Sequence, residues 1–236
     1  MDEKELMDAL AYRPFYRRRL PHLQPVGQVF FVTFRLYGSI PQRQLFAWRR
    51  TFEQRIARFE AIPPESRTPV IEAEREAIFK FYDDWLDGNP NGPYHLQNPA
   101  VAEVVTRELH RHDGALYQML AYCIMPNHVH LLFDTSAQIV DEVDLDQWEQ
   151  LGIKPLNVIM QRIKGASARY ANEVLGRSGS FWQAGSYDHY VRNAASLQRI
   201  YQYILDNPVK AGLVKNWEDF PFSYAAHSAG GFQSAK

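Results

Sequence analysis

Two histidines, His128 and His130, stand two residues apart in the segment Tyr122-Cys-Ile-Met-Pro-Asn-His-Val-His-Leu-Leu-Phe133. Side chains of a strand alternate between its faces, so a strand beginning at His128 points both imidazoles one way and sends Val129, Leu131 and Phe133 into the core. Two imidazoles on one face can share a divalent metal. Taken alone, a His-x-His pair is more often two incidental histidines at a strand start. A second pair, His110 and His112, falls at the end of an expected helix, where residues two apart diverge, and reads as surface or capping residues. The other residues suited to chemistry lie in Arg199-Ile-Tyr-Gln-Tyr203-Ile-Leu-Asp-Asn207-Pro-Val-Lys-Ala-Gly212. On a helix, Leu197, Ile200, Tyr201, Ile204 and Leu205 fall on one side. Tyr203 and Asn207, one turn apart, fall on the polar side. The Asn207 amide oxygen could ligate a hard cation, although in isolation a surface helix ended by an asparagine cap is the better reading.

Several elements must position these groups. Phe30, Val32, Phe34 and Leu36 alternate with Phe31, Thr33, Arg35 and Tyr37, which predicts a strand with one fully apolar face. Gln42 to Ala61 and Val70 to Leu86 read as two amphipathic helices, broken apart at Pro63-Pro64 and ended by Gly88-Asn-Pro-Asn-Gly-Pro93. Asn98-Pro99 opens a helix with an N-cap and a first-position proline, and Val101, Val104, Val105 and Leu109 form its stripe. Strands from Tyr117 to Met125 and from His128 to Phe133 follow, joined by the turn residues Pro126 and Asn127. Leu156, Ile159, Met160, Ile163 and Tyr170 mark another helix, Ser186 to Val191 a short strand, and Ala194 to Asp206 a last helix limited by Pro208. The order β-α-β-β-α-β predicts an α+β, ferredoxin-like split βαβ fold: an antiparallel sheet with helices on one face, the other face free for a ligand or another element. The expectation is a single domain over 1–236, with its core at about 17–40 and 96–226, a helical hairpin inserted at about 42–95, and a polar tail at about 229–236.

The 236 residues are 46% hydrophobic, enough for one core with an insert. The single cysteine, Cys123, excludes a disulfide framework and fits a reducing cytoplasm. No apolar run is long enough to span a membrane, and the acidic start is no signal peptide. A net charge of −1 lacks the global signature of a nucleic-acid binder, but the charge is segregated. Lys154 to Lys215 carries nine basic residues against Glu173, Asp188 and Asp206, whereas Asp134 to Glu149 carries six acids and no Lys or Arg. Arg17-Arg18-Arg19 adds a basic patch. Such separation can guide a polyanion, although on charge alone a set of solvated faces is the better reading.

The His128-Val-His130 motif after Met-Pro-Asn, Trp182-Gln183, Tyr187-Asp-His189 with Arg192, and Tyr203-Ile-Leu-Asp-Asn207-Pro-Val-Lys-Ala-Gly-Leu-Val214 together resemble the REP-associated tyrosine transposases, relatives of the insertion-sequence single-strand transposases. The opening Arg17-Arg-Arg-Leu-Pro-His-Leu-Gln24, leading into Phe30-Phe-Val-Thr-Phe-Arg35, is similar to that family too. Each motif is only moderately specific; their number and order are more so. The resemblance implies His128 and His130 as metal ligands, Asn207 as third ligand and Tyr203 as nucleophile. Asparagine stands at Asn207 where insertion-sequence relatives often carry glutamine. The helical insert and near-neutral charge also depart from the smallest members.

The mechanism implied is transesterification. Tyrosine, with a reference pKa of about 10, is a poor nucleophile at neutral pH, and a metal can offset this as a Lewis acid on the scissile phosphate. Mg²⁺ or Mn²⁺ suits such a ligand set better than zinc. Attack would leave a 5′-phosphotyrosine and release a 3′-hydroxyl, with single-stranded or REP-type hairpin DNA as substrate. Arg17, Arg18, Arg19, Lys164, Arg169, His189 and Arg192 are the expected DNA contacts, in a monomer or homodimer working in the cytoplasm at the nucleoid. Two rivals form no covalent adduct: an inactive RNA- or DNA-binding module of RRM-like topology, whose aromatic strand signature is absent here, and a hydrolytic metal nuclease.

Overall fold

The structure is a computed structural model and describes residues 27–48, 51, 64–88, 91–136 and 155–226. The Arg17–Arg19 patch, most of the acidic segment, Lys154 and the 229–236 tail lie outside the described residues. Five strands form one antiparallel sheet: β1 (Val29–Arg35), β2 (Gln118–Ile124), β3 (His128–Asp134), β4 (Tyr187–Tyr190) and β5 (Ser223–Ala225), in the order β4-β1-β3-β2-β5. Helices α2 (Pro99–His110) and α3 (Pro155–Val174) make the two crossovers. The expected α+β split βαβ order is present. β5, too short to stand out in the sequence, extends the sheet along β2.

The two crossover helices cover the first sheet face. Phe30, Val32 and Phe34 of β1 and Val129, Leu131 and Phe133 of β3 pack there against Val101, Val105 and Leu109 of α2 and Leu156, Ile159 and Ile163 of α3. Asn98 caps α2, its side chain accepting the Ala100 amide at 3.0 Å. The opposite face is occupied by further elements rather than left open. Phe31, Ala121, Cys123 and Leu132 are covered by α4 (Ala194–Lys210), through Leu197, Ile200, Tyr201, Tyr203 and Ile204, and by Phe79 of α1 (Pro64–Gly88). This explains why β1 is apolar on both sides, where a strand with one wet face would alternate more cleanly. A register shift between Met119 and Ala121 interrupts the alternation of β2, so that Met119 packs on the first face and Leu120 and Ala121 on the second.

Three boundaries differ from expectation. α1 is already helical at Pro64, six residues ahead of Val70. α4 runs through Pro208 to Lys210, so the proline lies in its last turn rather than ending it. α2 ends at His110, which leaves His112 in the following turn. Within the insert region, a helix over 42–48 and α1 share a small core of Ile40, Leu45, Trp48, Ile78, Tyr82 and Leu86.

Candidate active site

His128 and His130 open β3 on the second sheet face, where the cross-strand partner of His130 is Thr33 and that of His128 is Arg35. Both imidazoles are fully buried. Each uses its Nδ1 against the protein: His128 Nδ1 lies 2.6 Å from Asn127 Oδ1, and His130 Nδ1 lies 2.8 Å from Thr33 Oγ1. The two Nε2 atoms converge at 2.9 Å, with the ring planes 79° apart. Two donors on adjacent positions around an octahedral Mg²⁺-sized ion stand about 3.0 Å apart, given bonds of about 2.1 Å. The predicted orientation of the pair thus holds, and its separation suits a shared cation.

A third donor comes from the insert. Near its end, α1 turns Asp83 inward, with Oδ1 3.3 Å from His130 Nε2 and 3.8 Å from His128 Nε2. Among the described residues, Asp83, His128 and His130 form the grouping whose donor atoms lie within 4.8 Å of one another. Asp87, one turn on, brings Oδ1 to 4.0 Å from His128 Nε2. Asp84 points away, to Lys80 at 3.4 Å.

The electrostatics call for a positive charge here. The last turn of α1 has no basic residue, and its terminus already carries partial negative charge from its carbonyls. Burial raises the Asp83 carboxyl above the usual carboxylate range, partly offset by His128. Burial and the neighbouring Asp83 and Asp84 push Asp87 up to about 7. Burial pushes both His128 and His130 down to about 3, so the imidazoles are neutral and have lone pairs to donate. Asp83 Oδ1 is buried and accepts no hydrogen bond, an orphaned acceptor facing two neutral imidazoles. A divalent cation offsets the cost of burying the two carboxylates and accepts the imidazole lone pairs. The residues present therefore fit one.

Tyr203 reaches the same cluster. Its hydroxyl donates to Asp83 Oδ2, and its ring lies 5.5 Å from the His130 ring and about as close to Phe31 and Phe79, at 6.0 and 5.9 Å. Burial, then the Asp83 charge, raises its pKa strongly. The expected exposed tyrosine is thus half-buried with an enclosed hydroxyl, because α1 covers a helix face that looks polar and solvent-bound from its own residues. Tyr201 turns elsewhere: its hydroxyl donates to the Ala226 carbonyl at 3.3 Å. Asn207 is buried one turn beyond Tyr203 and donates through Nδ2 to the Tyr203 carbonyl at 2.8 Å. The Lys210 ammonium sits 5.1 Å from the Tyr203 ring centroid.

The expected DNA contacts are more dispersed. The Lys164 ammonium donates to the Gln183 and Gly185 carbonyls, at 2.8 and 2.6 Å, and burial with nearby Arg35 pushes it down to about 8. Arg169 is exposed, lying over the Tyr170 ring at 4.5 Å and 3.6 Å from Glu173. Arg192 is exposed and lies over Tyr190 at 4.8 Å. His189 sits on β4 opposite Phe31. His110 is held by Asp113 at 3.6 Å and Tyr122 at 3.3 Å. Cys123 is buried and its thiol pushed up to about 12 by burial, no setting for a nucleophile.

Two proteins of Haemophilus influenzae are similar in sequence. One, named "Putative REP-associated tyrosine transposase", is 28% identical over 107 residues, covering 45% of this chain and 58% of that protein. The likeness is to a REP-associated tyrosine transposase. The other, an uncharacterized protein, is 30% identical over 97 residues, covering 37% of this chain and 52% of its own. The chain thus spans a little over half the length of these relatives. No family model matches it. Among solved structures, a REP-associated tyrosine transposase bound to a REP hairpin aligns over 89% of this chain and 81% of its own, with 17% identity and a TM-score of 0.45.

Sequence reasoning missed Asp83, Asp87, Thr33 and Lys210, and read Asn127 only as turn chemistry. One local signal pointed to the acids: Asp83, Asp84 and Asp87 crowd the C-terminal end of a helix, where the helix dipole disfavours carboxylates.

Proposed function

We propose that this chain is a metal-dependent single-stranded DNA endonuclease and strand transferase, a REP-associated tyrosine transposase acting on REP-type hairpin DNA. One observation carries the proposal: a tyrosine hydroxyl, two imidazole Nε2 atoms and a carboxylate meet in one buried cluster from three separate segments. The motif order and the likeness to the Haemophilus protein point the same way.

His128, His130 and Asp83 would hold the cation, Mg²⁺ or Mn²⁺, with the Asn207 amide oxygen as a further donor. That ion supplies Lewis acidity toward a phosphodiester and orients it. Tyr203 is the nucleophile. Its phenolic oxygen bonds to phosphorus, the P–O3′ bond breaks, the departing 3′-oxygen takes a proton from solvent, and a 5′-phosphotyrosine and a free 3′-hydroxyl result. Asp83, which accepts the Tyr203 hydroxyl, is placed to take its proton. Lys210, over the ring, favours the developing phenolate. Arg17, Arg18, Arg19, Lys164, Arg169, His189 and Arg192 are the proposed DNA contacts, Lys164 after turning away from its two carbonyls. A cytoplasmic, nucleoid-associated setting follows from such a substrate. No described helix is long and apolar enough to cross a membrane. An RRM-like binding role needs an open sheet face, and here α1 and α4 cover the face the crossover helices leave.

The test is incubation with REP hairpin oligonucleotides and Mn²⁺, followed by a denaturing gel. A protein–DNA adduct is expected that disappears in Tyr203→Phe. Cleavage without an adduct would support the hydrolytic alternative and overturn this one.

A further inference from the structure

Asn127 occupies the hairpin turn just ahead of His128, where any small turn-forming residue would close the chain. Yet every polar group named at this turn is committed. The Asn127 carbonyl accepts the Leu36 amide at 2.8 Å, and the Pro126 carbonyl accepts the Leu96 amide at 3.2 Å. The side chain, 1% exposed, bridges two elements. Its Nδ2 donates to the Leu86 carbonyl at 2.9 Å, and its Oδ1 lies 2.6 Å from His128 Nδ1. The first bond settles the second: with the nitrogen spent on a carbonyl, the oxygen faces the imidazole and accepts from an Nδ1–H.

That assignment propagates. His128 protonated on Nδ1 presents a lone pair at Nε2. Across the 2.9 Å gap, His130 then donates from Nε2–H in the ion-free protein and accepts the Thr33 hydroxyl at Nδ1. A hydroxyl both donates and accepts, so Thr33 lets His130 exchange tautomers, whereas Asn127 holds His128 in one. At the other end, Leu86 lies between Asp83 and Asp87 near the end of α1, where the last carbonyls of a helix have no internal partner. The Asn127 amide caps one of them and thereby fixes how far Asp83 stands from the imidazoles.

We infer that Asn127 is a positioning residue that joins the two halves of the metal site, docking the inserted helix that carries Asp83 while selecting the His128 tautomer whose Nε2 can coordinate. The inference rests on the metal reading above only where affinity is concerned.

The experiment compares wild type, Asn127→Leu and Asn127→Asp. Histidine ¹⁵N NMR on the ion-free proteins should show His128 as the Nδ1–H tautomer in wild type. It should stay so in Asn127→Asp, which keeps an acceptor, and lose that preference in Asn127→Leu. Amide exchange in the last two turns of α1 should accelerate at least tenfold in both variants, since both lose the donor to Leu86. Mn²⁺ affinity, read by EPR, should fall about 10- to 100-fold in both, as for other groups that orient metal ligands. A purely structural role would not separate the tautomer from the helix in Asn127→Asp. An Nε2–H His128 in wild type overturns the inference, as does an Asn127→Leu protein with wild-type tautomer, exchange and affinity. Should Asn127→Leu fail to fold, the wild-type tautomer and Asn127→Asp decide. A wild type that binds no Mn²⁺ defeats the metal reading instead, and the tautomer and exchange results still judge Asn127.

Discussion

At Tyr203 the side chain is both the proposed nucleophile and a hydrogen-bond donor to a buried carboxylate. Tyr203→Phe therefore does two things. It should abolish the covalent adduct while leaving oligonucleotide binding intact. It should also cost about 1–3 kcal/mol of stability in the ion-free protein, because Asp83, already with one orphaned oxygen, loses its donor. Denaturant unfolding with and without Mn²⁺ measures this, and a loss that Mn²⁺ fails to reduce would count against Asp83 as a ligand. Tyr201→Phe breaks only the bond to the Ala226 carbonyl and should keep activity. Asp87 offers a pH test. Its folded pKa is raised to about 7 from 3.8. The folded state therefore holds the proton more tightly than the unfolded chain. The resulting cost to stability is absent below about 4, grows as pH rises, and is fully present above about 7. Asp87→Asn should stabilise the ion-free protein at pH 8, and the gain should vanish by pH 4. Thermal melts across that range check it, and a pH-independent difference would refute it.

Among the elements, α1 decides whether the site exists. It is anchored by the small core around Trp48, Tyr82 and Leu86, by Asn127, and by Phe79 on the second sheet face, and adds no strand to the sheet. Two truncations separate site from scaffold. Leu86→Ala and Leu109→Ala both open buried space, each costing about 2–5 kcal/mol. Leu86 lies beside Asp83 and Asp87, whereas Leu109, on α2, packs against the first sheet face. Mn²⁺ affinity should drop in Leu86→Ala and remain near wild type in Leu109→Ala, as calorimetric titration would show. Equal affinities would mean that α1 does not set the site. α4 supplies the other wall, with Pro208 inside its last turn, where the proline has no N–H to give the Ile204 carbonyl.

For the whole molecule, charge is nearly balanced at −1, so any attraction to DNA depends on how charge is distributed. Arg162, Arg169, Arg192, Arg199 and Lys210 are exposed in the basic stretch, while Lys164 is spent on carbonyls. Binding of a REP hairpin should weaken steeply with added salt, as counterion release requires. Fluorescence anisotropy between low and moderate KCl tests this. A flat response would exclude the basic surface as the DNA contact.

The sequence alone determined whatever follows from the period of a single element. Alternation in β3 placed His128 and His130 on one face, helical spacing separated Tyr203 from Tyr201 and aligned it with Asn207, and the order of elements predicted the split βαβ sheet. Asn98 and Pro99 marked the start of α2 because caps act over a few residues. Tertiary structure alone decided what crosses the second sheet face. Tyr203 and its partner Asp83 lie 120 residues apart, and no local periodicity encodes that contact. β5 has too few residues to announce itself, and the helix face bearing Tyr203 looks solvent-bound until α1 lies over it. The carboxylates at the end of α1 are locally unfavourable, next to a negative helix terminus. Only when the fold sets them against two neutral imidazoles and a tyrosine hydroxyl does the physical reason emerge: together these groups form a buried pocket of donors that a cation would stabilise.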